Sequence, residues 1–218
     1  MTTITIHLGK TMDGAAGNTG IASGGRNPTP TARLILYPSD SNVVLKDWIS
    51  CVYSSTDTAS NKKVDQLTKD FKIPTRGYST SAFNTWKLGD EDKASISRLQ
   101  MFTDLTPEDK VQGGESFNTY KNRVINEFKA LIKDVEDECS DTSLLVAPPM
   151  TIQMIYAYVE AKEDKKNSKD SKAIDIEEFY EGEFKDICPY LVTKQGDKYE
   201  CEDLNCDDSE DKESEEEK

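Results

Sequence analysis

Residues 113–147 read GGESFNTYKNRVINEFKALIKDVEDECSDTSLLVA, and this stretch decides the fold class. Phe117, Tyr120, Val124, Ile125, Phe128, Leu131, Ile132 and Val135 recur at spacings of three and four. That period puts one apolar stripe along a helix. Glu115 and Ser116 stand just before it, where an acid and a hydroxyl favour a helix N-terminus. After a polar break, Ser143-Leu144-Leu145-Val146-Ala147 is too short for a helix and reads as a buried strand. Ile152–Ala161 returns to a helical pattern. Helices alternating with buried strands point to a layered α/β fold with a mainly parallel sheet.

The flanking sequence extends this pattern. Thr3-Ile4-Thr5-Ile6-His7-Leu8 alternates and reads as a strand. Residues 9–30 carry six glycines and two prolines, the composition of a long surface loop. Residues 33–37 and 43–49 are apolar and fit either a strand or a helix, and Ser50–Ser54 reads as the end of a buried strand. From Thr58 a helix follows with Val64, Leu67 and Phe71 on one face, and Pro74 stops it. The stretch from there to Gly89 is rich in turn residues, and Thr106-Pro107-Glu108-Asp109 has the marks of a helix start. Residues 162–173 form a polar Lys/Asp/Ser loop, and Ile174–Leu204 is expected to return to the domain. The reading is therefore one domain over 1–206, with an acidic tail at 207–218.

Charge and composition exclude several functions. The chain has 41 acids and 27 bases, a net charge of −14. A sequence-independent nucleic-acid binder needs the opposite sign, as does docking on an anionic membrane surface. No apolar run reaches the length of a membrane span, and the N-terminal residues do not resemble a signal peptide. Direct nucleic-acid and membrane partners are therefore not expected. Five scattered cysteines and one histidine, His7, offer no zinc-ligand spacing. Reduced thiols in a cytoplasm-like compartment are expected, with no metal and no cofactor. The tail holds eight acids and two lysines. It cannot bury enough apolar surface to order itself alone, and is expected to need a basic partner surface.

Gly9-Lys10-Thr11 after a strand imitates the end of a phosphate-binding loop. The glycine required five positions earlier is replaced by Ile4, inside the strand, so the backbone cannot wrap a phosphate.

Four segments together resemble the histidine phosphatase (phosphoglycerate mutase-like) superfamily. Ile6-His7-Leu8-Gly9-Lys10-Thr11 is similar to that family's opening strand and Arg-His-Gly-x-Thr motif. Val52-Tyr53-Ser54-Ser55 is similar to its second strand and Ser-Ser turn. Gly114-Glu115-Ser116, with Arg123 on the helix behind it, resembles its Gly-Glu-Ser segment, and Leu145-Val146-Ala147-Pro148-Pro149 the strand ending in its second His-Gly. Trp86-Lys87-Leu88-Gly89 and Ile174–Leu204 look like small phage-encoded members. The resemblance implies a three-layer α/β sandwich in which the strands holding Ile6, Val52 and Val146 are neighbours.

The family's chemistry is phosphoryl transfer to a histidine held among arginines and a second histidine. Aligned on Gly9, the nucleophile position holds Leu8 and the preceding arginine position His7. The arginine after the Ser-Ser turn falls near Ala59, with Lys62 and Lys63 a turn later, and the second histidine falls at Pro148. Neighbouring side chains on a strand point to opposite faces, so His7 cannot stand in for Leu8. Lys10, Lys62, Glu115 and Arg123 remain as polar candidates. The expectation is a catalytically inactive member with a structural or protein-binding role, as a phage virion structural or accessory protein. The alternative is a phosphatase or phosphoryl-transfer enzyme with a divergent site.

Overall fold

The computed structural model describes residues 31–45, 48–87, 89, 108, 113–138, 142–163, 179 and 187–204. Six strands form one sheet: β1 (Thr31–Pro38), β2 (Ile49–Ser55), β3 (Thr75–Thr80), β4 (Thr142–Ala147), β5 (Tyr190–Gln195) and β6 (Lys198–Asp203). Their order is β3-β2-β4-β1-β5-β6. The first four are mutually parallel, and β5 and β6 add antiparallel. Among the described residues three α-helices cover it: α1 (Thr58–Phe71), α2 (Phe117–Glu138) and α3 (Pro149–Glu163).

Alternation along each strand divides the sheet into two apolar faces. Leu34, Leu36, Cys51, Tyr53, Leu145 and Ala147 meet the stripes of α2 and α3. Ile35, Tyr37, Val52, Leu144 and Val146 meet Val64 and Leu67 of α1 on the other side. This is a three-layer α/β sandwich, as the sequence implies. The α2 stripe lies where its period puts it, with Tyr120, Val124, Phe128, Leu131 and Val135 fully buried. Ser116 caps that helix: its Oγ accepts from the Thr119 N–H at 3.2 Å and its carbonyl from Tyr120 at 3.0 Å. α1 ends at Lys72, which turns left-handed (φ 53°) ahead of Pro74.

The expectation for the opening strand falls on residues 3–8, which lie outside the described residues. β4 is flanked by β1 and β2, so the strand beside it on the side away from β2 is Thr31–Pro38, with Tyr37 opposite Val146. A central parallel strand is covered on both faces and is apolar without interruption, as Leu34-Ile35-Leu36-Tyr37 is. Of the two ambiguous runs, residues 33–37 are strand. Residues 41–45 are irregular and held over β1 by the Tyr37 hydroxyl, which donates to the Ser41 and Val43 carbonyls at 3.1 and 2.8 Å.

The turn-rich segment after Pro74 hides a strand. β3 is an edge strand exposed along almost its whole length, so it carries no hydrophobic alternation to detect. Its pairing with β2 slips opposite Tyr53, where Val52 pairs with Arg76 but Ser54 pairs with Ser79. Two β3 residues, Gly77 and Tyr78, thus face one β2 residue, a β-bulge. Gly77 leaves room for the Tyr53 ring, since a Cβ there would sit 2.4 Å from two ring carbons. Gly77→Ala is expected to destabilise the fold by about 1–3 kcal/mol in denaturant titration. In a Tyr53→Ala background the same change should cost far less; an equal cost in both would refute the contact.

Candidate functional site

Ligands of open parallel α/β sheets bind at the carboxyl ends of the strands, where backbone donors and helix N-termini converge. Here those ends are Pro38-Ser39, Ser55-Thr56-Asp57, Thr80 and Ala147-Pro148. β1 and β4 finish side by side, joined by the Ser39 N–H donating to the Ala147 carbonyl at 2.9 Å. Asp57 holds the one formal charge in this set, and it is negative.

The N-terminus of α1 is filled by its own chain. Asp57 is the N-cap, and its Oδ1 accepts from the Ser60 N–H at 2.9 Å. The fully buried Ser55 donates its hydroxyl to Oδ2. Burial pushes the Asp57 carboxyl up, but hydrogen bonds from Ser55, Ser60 and the Ala59 backbone outweigh it and hold the group below the ordinary carboxylate range. A carboxylate thus occupies the position where a bound anion would meet those amides. The N-terminus of α3 is closed differently. Pro148 and Pro149 have no N–H to offer, and the Thr151 and Ile152 amides turn back to the Pro148 carbonyl at 2.9 and 3.1 Å.

Two cations among the described residues, Arg123 and Lys63, are also engaged. Arg123, on α2, makes six hydrogen bonds within the chain. Its Nε and Nη2 donate to the two oxygens of Glu115, and Nη1 donates to the carbonyls of Ser81, Ala82 and Asn84 at 3.2, 2.7 and 3.1 Å. Nη2 also reaches the Thr85 carbonyl at 3.5 Å. Glu115 completes the join: its Oε1 accepts from the Lys87 N–H, and its carbonyl from the Trp86 indole at 2.8 Å. Lys63 donates its Nζ to the Ser41 carbonyl at 2.7 Å. Asn84 closes the rim, its Oδ1 accepting from both the N–H and hydroxyl of Thr56 at 3.0 Å.

The residues singled out from sequence therefore separate. Glu115 and Arg123 come together, as partners of each other. Ala59 lies exposed in the first turn of α1, Lys62 is exposed one turn on, and Pro148 links β4 to α3. His7, Leu8 and Lys10 lie outside the described residues. β1 is the strand beside β4, and its last residue, Pro38, pairs with Ala147, directly before Pro148. Asp57 and Asn84 are the residues sequence reading missed. Asp57 had a signal, an N-cap residue directly before the helical pattern; Asn84 had none. Among the described residues, no group of three His, Cys, Asp or Glu side chains could hold a metal ion, and no helix is long and apolar enough to cross a membrane.

Solved structures match this architecture over most of its length. A phosphoglycerate mutase from Bacillus anthracis str. Sterne aligns with a TM-score of 0.55 at 9% identity, over 81% of this chain and 93% of its own. The fold is phosphoglycerate mutase-like. Bacillus stearothermophilus YhfR aligns with a TM-score of 0.54 at 14% identity, covering 79% of this chain and 96% of its own. The alpha-ribazole phosphatase from Shigella flexneri gives 0.52 at 12% identity, covering 79% and 96%. No family model and no curated protein matches the sequence. The phosphoglycerate mutase-like frame is thus present in this chain, and at the carboxyl end of its sheet the described strand ends are joined by internal contacts.

Two measurements check these contacts. Arg123→Ala should cost about 3 kcal/mol in denaturant titration, since it leaves Glu115 and several carbonyls unpaired in a half-buried setting. Arg123→Lys should recover only part of that, because an ammonium cannot span the same acceptors. Asp57→Ala should cost about 1 kcal/mol at pH 7. Because the folded carboxyl titrates below its unfolded value, its contribution is present above that unfolded value and lost as pH falls through the folded one. The difference from wild type should therefore narrow below about pH 4; a difference that widens there would refute the assignment.

Proposed function

We propose that this chain is a catalytically inactive protein of the histidine-phosphatase fold, with a structural or protein-binding role as a component of a phage particle. The observation that carries the reading is the Asp57 carboxylate seated on the first amides of α1. Phosphoryl transfer depends on preorganised positive charge and donors aimed at the transferring group, and losing even one such donor costs orders of magnitude in rate. Here an anion of the chain itself holds those donors. Pro38 and Pro148 close the two central strands and carry neither a nucleophile nor a hydrogen-bond donor. Arg123 and Lys63 have carbonyl and carboxylate partners. The phage source rests on the likeness of Trp86–Gly89 and Ile174–Leu204 to small phage-encoded members. The role by binding rests on the retained fold: a packed α/β sandwich is a shape that serves many functions once its site is lost.

Purified protein should hydrolyse p-nitrophenyl phosphate no faster than an Asp57→Ala, Arg123→Ala double variant, and should take up no label at His7 from a phosphodonor. Stoichiometric phosphohistidine at His7, or turnover that the double variant lacks, would establish the enzymatic alternative instead. The proposed role predicts the chain among the proteins identified by mass spectrometry of intact particles. Its consistent absence from purified particles would refute that part.

A further inference from the structure

β3 lies at one edge of the sheet, and five of its six residues are exposed. Its backbone pairs with β2 on one side. Among the described residues no backbone hydrogen bond reaches its other side. A row of amides and carbonyls is thus offered to solvent, the template an added strand uses. The two flanks of this edge differ in charge. On the α1 side Arg76 pairs with Asp65 at 2.5 Å, and Lys72 stands three residues before the strand. On the α2 side the Tyr78 ring stands edge-on to Tyr53, with centroids 5.3 Å apart, and Glu127 and Asp134 of α2 lie beside it. The Tyr78 hydroxyl is hydrogen-bonded to Glu127 and stays neutral, since burial and the two carboxylates push its pKa up, so it cancels no charge. Glu127 and Asp134 are half-buried on one flank of α2, with Ala130 between them, and the exposed Asp137 continues the stripe. The cations of α2 are turned elsewhere. Arg123 is held by Glu115 and by carbonyls, and Lys129 and Lys133 stand about 160° and 100° around the helix from Glu127 and Asp134. Among the described residues neither Glu127 nor Asp134 has an ion-pair partner.

We propose that the open edge of β3 takes an extended, basic segment of a partner protein as an added strand, its cations facing Glu127 and Asp134. Alternation puts every second side chain of such a strand on the α2 side. Arginine or lysine there meets two carboxylates that water screens less than exposed ones, and the exposed part of the Tyr78 ring offers a face to a guanidinium. The side chains between them meet the Arg76–Asp65 pair, which is neutral in sum, so small polar residues fit that side. The bulge at Gly77-Tyr78 interrupts the ladder and weakens pairing with an arbitrary strand, so charge decides which strand binds. A second copy of β3 fits poorly. Antiparallel pairing about a two-fold axis sets the two α2 stripes on the same face, carboxylate towards carboxylate, between chains of net charge −14. The proposal gives the protein-binding role a place and a class of partner, and rests on that reading. The two fail separately, since that reading is tested by turnover and by particle composition and this one by peptide binding.

Calorimetric titration of the full chain with a synthetic peptide tests this, the probe being about twelve residues of alternating threonine and arginine. Glu127→Gln with Asp134→Asn should weaken binding at least about tenfold. Glu200→Gln with Glu202→Gln removes the same charge from β6, at the opposite edge of the sheet, and should change the affinity by less than about twofold. The same peptide N-methylated at alternate residues loses the donors of one edge. It should bind the unaltered chain at least about tenfold more weakly, a comparison that needs no variant to fold. Hydrogen exchange of the Thr75–Thr80 amides should slow when the peptide binds, and that of Lys198–Asp203 should not. Equal weakening by both acid pairs would overturn the proposal in favour of unspecific attraction to an acidic chain. Protection of β3 that appears without peptide and grows with protein concentration would overturn it in favour of a second copy. No binding at up to about 1 mM peptide would overturn it outright.

Discussion

The guanidinium of Arg123 holds the carboxyl end of the sheet in its observed shape. It bridges the two oxygens of Glu115 and the carbonyls of residues 81–85. Those carbonyls belong to a stretch without a long helix or strand of its own, where backbone acceptors need partners from elsewhere. The planar fork of an arginine satisfies several at once. Through it the chain after β3 is fastened to α2, and Trp86 is set against Phe117 and Tyr120, with its ring stacked on Tyr120 at 5.7 Å. The Arg123 guanidinium also lies 5.2 Å above the Tyr120 ring. Tyr120 in turn shares a hydrogen bond with Thr151 at the start of α3. One side chain therefore connects the edge of the sheet, α2 and the helix that follows β4.

That economy of contacts bears directly on function. A group that binds a transferring phosphate must keep donors free for it, and among the described residues Arg123, Lys63 and the Ser60 amide have partners within the fold. Arg123 is directed at carbonyls, Lys63 at the Ser41 carbonyl, and the first amides of α1 at Asp57. The prolines at 148 and 149 remove the corresponding amides from α3. Each contact is an ordinary structural device, a cap, a clamp or a rigid turn. Together they leave the described strand ends with a negative charge and no array of free donors, a surface suited to holding a shape.

The layers were legible in the sequence because burial imposes period. The α2 stripe and the Ser143–Ala147 strand could be read directly, since each packs against an apolar layer along its whole length. β3 was hidden because an exposed edge strand needs no alternation, and its defining residue, Gly77, is placed by the Tyr53 ring rather than by local sequence. The central strand β1 was not singled out, because residues 33–37 fitted either a strand or a helix. An apolar run on both faces is the mark of a central strand, and it was ambiguous with a helix only for want of length. At the site, Glu115 and Arg123 were found by spacing, but their mutual pairing was not, because it depends on where the chain returns after Lys87. Asp57 was legible as a cap; that the same carboxylate would lie at the sheet's carboxyl end follows only from the topology.

The central claim is that the amides at the carboxyl end of the sheet are closed to external anions. Backbone amide shifts of Ala59, Ser60 and Thr151, followed by NMR while the full chain is titrated with orthovanadate, measure this directly. Vanadate imitates both phosphate and the five-coordinate geometry of its transfer. The expected result is no change at these amides up to about 10 mM, the range in which only weak binding with a free energy near −3 to −4 kcal/mol would register. Saturable shifts of Ala59 and Ser60 would contradict it, showing that Asp57 yields its place to an oxyanion and that the site remains open.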